Sequence, residues 1–154
     1  MIKRLTNPEE FNQCISDLAD LFEVENSEQG HYFLKHDKGH ITNAFSHSQI
    51  LAWDFFVWGN LNKHGIYDAM IAFLNNKNEK FGESIFSEYL WLSKNPKVGY
   101  KLLATALAFA RKKEFKYVAM SAAYNNPSFD KVTSFYKKMG FLKDSETYIA
   151  KLYE

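Results

Sequence analysis

The chain has 154 residues, enough for one domain that buries roughly two thirds of its unfolded surface without staples. It is 46% hydrophobic and 17% aromatic, which excludes general disorder, and no apolar run reaches the roughly 18–20 residues of a membrane span. Nineteen basic residues face eighteen acidic ones, a net charge of +1 that leaves no electrostatic footprint for nucleic acid or an anionic membrane.

The first ten residues place acidic side chains where a leader would be apolar, so no signal peptide is expected. A single cysteine, Cys14, makes no internal disulfide and fits a reducing, cytoplasmic setting. Cys14 also falls at helical spacing beside Phe11 and Leu18, as a small core residue does.

Ile2–Leu5 reads as a short strand. Asn7-Pro8-Glu9-Glu10 then opens a helix, with an Asn cap and proline at the first position. Phe11, Ile15, Leu18 and Phe22, with Cys14 and Leu21, mark its apolar face, and Asn26-Ser27 ends that segment or caps the next. Between residues 28 and 48, Tyr32, Phe33, Ile41, Ala44 and Phe45 suit one or two short helices, with Gly39 as a break. His36 and His40 have the spacing of two ligands on one helical face, but no third ligand accompanies them, so no metal is expected.

Ile50–Trp58, Tyr67–Leu74 and Ser84–Ser93 read as three strands of an antiparallel meander. Gly59-Asn60 to His64-Gly65 supplies one turn and Asn75–Lys80 a polar loop. Trp53, Phe55, Phe56 and Trp58 line both faces of their strand, as core or as the wall of a substrate pocket. Asn95-Pro96 reads as a turn. Leu102, Leu103, Ala106, Leu107 and Ala110 make an amphipathic helix ending in Arg111-Lys112-Lys113, and Lys116–Ala122 a strand parallel to Ser84–Ser93. Asn126-Pro127-Ser128 starts a last helix that turns Phe129, Val132, Phe135, Tyr136 and Met139 inward and stops at Gly140. Phe141–Leu152 closes the chain as a strand or hairpin. The fold class is therefore mixed α/β, in one domain over residues 1–154.

The stretch Ser84–Phe141 resembles the GNAT superfamily of acyl-CoA-dependent N-acyltransferases. Glu88-Tyr-Leu-Trp-Leu-Ser93 falls at that family's strand, Lys94-Asn-Pro-Lys-Val-Gly99 at its phosphate loop, and Tyr100-Lys-Leu-Leu103 at the helix that follows. Phe135-Tyr136-Lys-Lys-Met-Gly140-Phe141 matches its closing signature. The resemblance implies a central mixed, mostly antiparallel sheet, one parallel pair of strands that part, and helices on both faces. Acetyl-CoA would be the donor, with its arm paired to the backbone of Leu90, Trp91 and Leu92. The chain departs from the family's pattern at the loop: Lys97 stands at the first glycine position, Lys94 at the Gln/Arg position, and Pro96 has no N–H.

The chemistry of each position stands beside the name. A helix N-terminus offers unpaired N–H groups and positive charge to a pyrophosphate. Gly99 either admits that group or makes an ordinary turn. Val98 and Tyr100 flank it, and Lys94, Lys97 and Lys101 add cations. The resemblance gives Tyr136 the role of general acid toward the leaving thiolate; otherwise it is a core aromatic. An attacking amine must also lose a proton. Glu88, on the same alternate face as Phe86 and Leu90, is the first candidate base and Glu83 the second, unless both are solvated strand residues.

The expected function is N-acetyl transfer from acetyl-CoA to a primary amine of an acceptor that no motif identifies, with no covalent intermediate. The rival is a protein that keeps the fold, has lost catalysis and serves as a binding or structural protein, of viral origin on its composition. Neither reading involves a membrane, nucleic acid is disfavoured, and the chain is a monomer or a homodimer.

Overall fold

The computed structural model describes residues 1–21, 39, 41–43, 45, 54–78, 82–122, 128–145, 150 and 152. The elements are β1 (Ile2–Leu5), α1 (Pro8–Asp17), β2 (Phe55–Leu61), β3 (Tyr67–Asn78), β4 (Glu83–Ser93), α2 (Pro96–Lys112), β5 (Tyr117–Ala119) and α3 (Phe129–Lys138). Five strands form one sheet in sequence order. β1 to β4 are antiparallel in turn, and β5 runs parallel to β4.

Each face of the sheet carries its own core. Phe11, Cys14, Ile15 and Leu18 of the α1 segment pack with Val57, Met70, Ala72, Leu90 and Leu92. On the other face Leu102, Leu103, Ala106, Leu107 and Ala110 of α2 pack on Phe56, Trp58, Ile71, Phe73 and Phe86. Phe73 and Phe86 stack at 4.1 Å between ring centres. Strict alternation along β2 sends Phe55 and Val57 to one core and Phe56 and Trp58 to the other, as the sequence predicts. Trp53 lies outside the described residues, as do His36, His40, Phe22, Asn26 and Ser27.

α1 begins where its signals place it. The Asn7 side chain accepts from the Glu10 N–H, with Pro8 at the first turn. α2 begins with the same chemistry: Asn95 Oδ1 accepts from the Lys97 N–H at 3.0 Å and Pro96 takes the first position. The expected turn at Asn95-Pro96 is thus a helix start, and Lys97, Val98 and Gly99 belong to its first turn rather than to a loop.

Several boundaries move for stated reasons. β2 reaches Leu61, so Gly59 and Asn60 are strand residues; a Cβ on Gly59 would stand 2.8 Å from the Tyr67 ring, which explains the glycine. The turn lies beyond, where Asn62 Oδ1 accepts from the N–H of His64 and of Ile66, and Gly65 has φ +74°. Asn75–Asn78, expected as loop, extend β3, because Phe86, Ile85, Ser84 and Glu83 lie opposite and complete the ladder. Gly39, expected as a break, is helical, and nearby Ile41 and Phe45 are buried.

Lys116–Ala122 contracts to Tyr117–Ala119, the stretch for which β4 supplies a partner. In α3 the expected inward Met139 is instead exposed, just past the last helical residue. Gly140 ends that helix at φ +90°, the left-handed conformation a C-terminal stop requires. Residues 141–145 form no strand; 146–149 lie outside the described residues.

Candidate active site

The register of β4 against β3 runs Leu90 opposite Ala72 and then Glu88 opposite Phe73. Tyr89 is the extra residue, a β-bulge. Its consequence is visible in the two cores: Phe86 packs on the α2 side, whereas Tyr89, Leu90 and Leu92 all belong to the α1 side. The expected shared face of Phe86, Glu88 and Leu90 is therefore broken. Glu88 keeps the Phe86 side and Leu90 changes over.

The bulge also marks where β4 and β5 part. β5 pairs with Ile85, Phe86 and Ser87 and with nothing beyond. From Tyr89 to Ser93, β4 has no strand on that edge among the described residues. The side chains of Leu90 and Leu92 are buried, so the backbone edge is what this segment offers.

α2 starts at the open end of this gap. Pro96 has no N–H, Lys97 gives its own to Asn95 Oδ1, and Gly99 gives its own to the Asn95 carbonyl at 3.0 Å. Val98 remains as the N–H of the first turn whose helical partner would lie before the helix. Lys97 and Lys101 are exposed. Lys94 turns away: its ammonium donates to the Asp17 carbonyl and pairs with Asp20, both at 3.2 Å, at the C-terminal end of α1.

Gly99 is buried against β4. A Cβ there would stand 3.1 Å from Ser93 Cβ and 3.4 Å from Trp91 Nε1. The glycine thus lets the helix sit on its own strand; it is a helical residue and not the ordinary turn glycine that was the alternative to its phosphate role. The Trp91 indole N–H is buried beside it and finds no acceptor among the described residues. Trp91, Tyr100 and Phe135 form a chain of rings at 6.2 and 4.5 Å, joining the start of α2 to α3.

That junction sets Tyr136 in place. Its ring is buried between Phe135 and Phe141, and its hydroxyl donates to the Ser121 carbonyl at 3.0 Å. Burial, and next the charge of Glu88, push its acidity far down, so the phenol is neutral at any working pH. Glu88 Oε2 accepts the Ser121 N–H at 2.8 Å. One residue just beyond β5 is thus held from β4 and from α3 together. Glu83 is not brought to this place. It lies five residues up β4, roughly 16 Å away along the strand, and pairs with Lys116 at 3.1 Å.

Sequence reasoning missed Ser121. It acts through its backbone, for which no residue type is a signal. Tyr89 was also missed, since a bulge is a property of two strands. Among the described residues no group of His, Cys, Asp or Glu is placed to hold a metal, and no helix is long and apolar enough to cross a membrane.

No protein-family model matches this sequence, and no curated protein does. Solved structures match over nearly the whole chain. An aminoglycoside acetyltransferase from an uncultured soil metagenomic sample, in complex with trehalose, is 17% identical, with 99% of this chain and 96% of that one aligned at a TM-score of 0.67. A second soil-metagenome aminoglycoside acetyltransferase is 12% identical over 99% of this chain and 98% of that one, at 0.69. An acetyltransferase of Trypanosoma brucei is 14% identical over 99% of both chains, at 0.61. At such identities the likeness establishes the fold: this chain has a GNAT-like acetyltransferase fold.

Proposed function

We propose that this chain is an N-acetyltransferase that takes acetyl-CoA as donor and passes the acetyl group to a primary amine by direct attack within a ternary complex. The observation that carries this reading is the parting of β4 from β5 at the Tyr89 bulge, with the start of α2 at its mouth. Acetyl-CoA, when bound, supplies the activated thioester. The protein's part is to hold and orient it.

The backbone edge at Leu90, Trp91 and Leu92, which no strand among the described residues covers, suits an extended amide-bearing arm that adds to a sheet edge as a strand does. The positive end of α2, with the Val98 N–H and the exposed Lys97 and Lys101, suits the pyrophosphate, and Tyr100 stands beside it. Lys94 is engaged elsewhere and takes no part. Tyr136 works from the buried side of the gap. As the C–N bond forms and the C–S bond breaks, its hydroxyl exchanges the neutral Ser121 carbonyl for the sulfur, because a charged acceptor makes the stronger hydrogen bond, and gives it a proton; the proton shed by the amine leaves to water, from which the phenol is restored. Glu83, paired on the surface, has no role.

The acceptor is an amine-bearing molecule. Two of the structurally similar proteins are named aminoglycoside acetyltransferases, so polycationic amino sugars head the panel to be screened. We place the activity in the cytoplasm, where the donor is made and a lone thiol stays reduced.

A second reading keeps the fold and gives up the chemistry, leaving a binding or structural protein. The observation favouring it is the first turn of α2, where Pro96 and the Asn95 cap withdraw N–H groups from any phosphate. Titration calorimetry with acetyl-CoA and with free CoA tests the proposal. Binding of both, with thiol release in the presence of an amine, is expected. No heat from either ligand at millimolar concentration overturns it, and binding without turnover across the amine panel supports the second reading.

A further inference from the structure

Resting on the acetyltransferase reading, we propose that Glu88 is a positioning residue: through the Ser121 peptide it fixes the point from which the Tyr136 hydroxyl acts. Ser121 lies two residues past Ala119, the last residue of β5 that pairs with β4, so the sheet's ladder does not hold it. It is exposed, so water competes for its backbone, and an acceptor anchored in the sheet is what keeps its N–H in one place. A carboxylate acceptor makes the stronger, charge-assisted bond, and Glu88 Oε2 provides one at 2.8 Å to the Ser121 N–H. The carbonyl of the same residue receives the Tyr136 hydroxyl at 3.0 Å.

The bulge makes this clasp possible. With Tyr89 as the extra residue, Glu88 stays on the Phe86 side of β4 while Tyr89 and Leu90 both join the opposite core. The strand therefore presents Glu88 at the first position after its pairing with β5 ends, where its side chain spans the opening to Ser121. An oxygen that accepts a bond from a peptide N–H at this spot is engaged in holding the chain. An amide oxygen accepts that bond as well as a carboxylate oxygen does in geometry, whereas only a carboxylate takes up a proton from an amine. The two roles thus respond differently to the same change.

The experiment compares Glu88→Ala and Glu88→Gln in the full chain. Thiol release from acetyl-CoA is followed with an amine acceptor or, lacking one, as slow thioester hydrolysis, together with amide hydrogen exchange at Ser121. A displacement of about 1 Å in a reacting group costs on the order of 10²-fold, so Glu88→Ala is expected to lower kcat by that amount and to speed exchange at Ser121. Glu88→Gln is expected to restore most of kcat, keep Ser121 protected and leave the acid limb of the kcat/KM profile where the wild type has it. A Gln variant as inactive as Ala, with the acid limb gone, makes Glu88 the base and overturns the proposal. Unchanged Ser121 exchange in Glu88→Ala overturns it too. If Glu88→Ala does not fold, the Gln profile and its Ser121 exchange still decide. Failure of the wild type to bind acetyl-CoA would defeat the acetyltransferase reading instead, and Ser121 exchange would still report on the clasp.

Discussion

Replacing Tyr136 by Phe separates chemistry from packing. The ring keeps its neighbours Phe135 and Phe141, with centres at 6.1 and 5.5 Å, and only the bond to the Ser121 carbonyl is lost. Ser121 is exposed, so water can replace the hydroxyl at that carbonyl. The expected loss of stability is therefore the ordinary net value of one hydrogen bond, about 0.5–1.5 kcal/mol. For a domain of this size that lowers Tm by about 2–4 °C per kcal/mol. If the hydroxyl serves the leaving sulfur, turnover falls about 10²–10⁴-fold, the usual loss for a general acid, which corresponds to roughly 2.7–5.5 kcal/mol of barrier. The barrier effect exceeds the stability effect, so the two are distinguishable in one protein. Thermal melting gives the first, and single-turnover thiol release from acetyl-CoA gives the second. Calorimetry should find acetyl-CoA affinity nearly unchanged. A Phe variant with full turnover and the small melting shift would refute the assigned role and return Tyr136 to the core.

Three further outcomes are expected. Gly99→Val should destabilise the protein by about 1–3 kcal/mol, because its Cβ crowds Ser93; adding Ser93→Gly should restore the melting temperature, and CoA affinity measured in the restored double variant shows whether residue 99 also meets the ligand. Burial, and next Asp17, hold the Cys14 thiol at about 12 against an ordinary 9.0, so the unfolded chain gives up this proton first as pH rises. Stability should then fall from pH 9 toward 12 by up to about 1.4 kcal/mol per unit from this group, and urea melts should show the Cys14→Ala variant free of that slope; equal slopes would contradict it. Gly140→Ala meets no atom within 4 Å, so its cost comes only from φ +90°: about 1 kcal/mol by chemical denaturation.

The elements read best from sequence are those set by local chemistry. Asn7-Pro8 announces α1 through a cap and a proline that loses nothing at the first position. Asn95-Pro96 carries the same message, yet its resemblance to a loop pattern and the following lysines read as a turn, which puts the expected start of α2 at Tyr100, four residues past Pro96. Asn75–Asn78 read as loop because polar side chains say nothing about a partner strand eleven or fewer residues away. The bulge at Tyr89 has no local sign at all, since it exists only in the register against β3, and it moved Leu90 to the opposite core. Of the candidate site, the place of Tyr136 near the end of α3, ahead of the Gly140 stop and Phe141, was legible. Ser121 was not, for its contribution is a peptide group that any residue carries.

That no strand among the described residues covers the edge of β4 from Tyr89 to Ser93 has a consequence for handling the protein. A row of backbone donors and acceptors that takes an extended amide arm takes an extended polypeptide on the same terms, and β-branched or aromatic flanks favour such pairing. A second copy that adds its own outer strand β1 here leaves its β4 edge open to the next, a head-to-tail contact that repeats and grows into insoluble chains. A ligand lying along the gap competes for those same groups. Donor present during purification or concentration should therefore keep the protein in solution, and light scattering on storage should rise soonest in the preparation stripped of it.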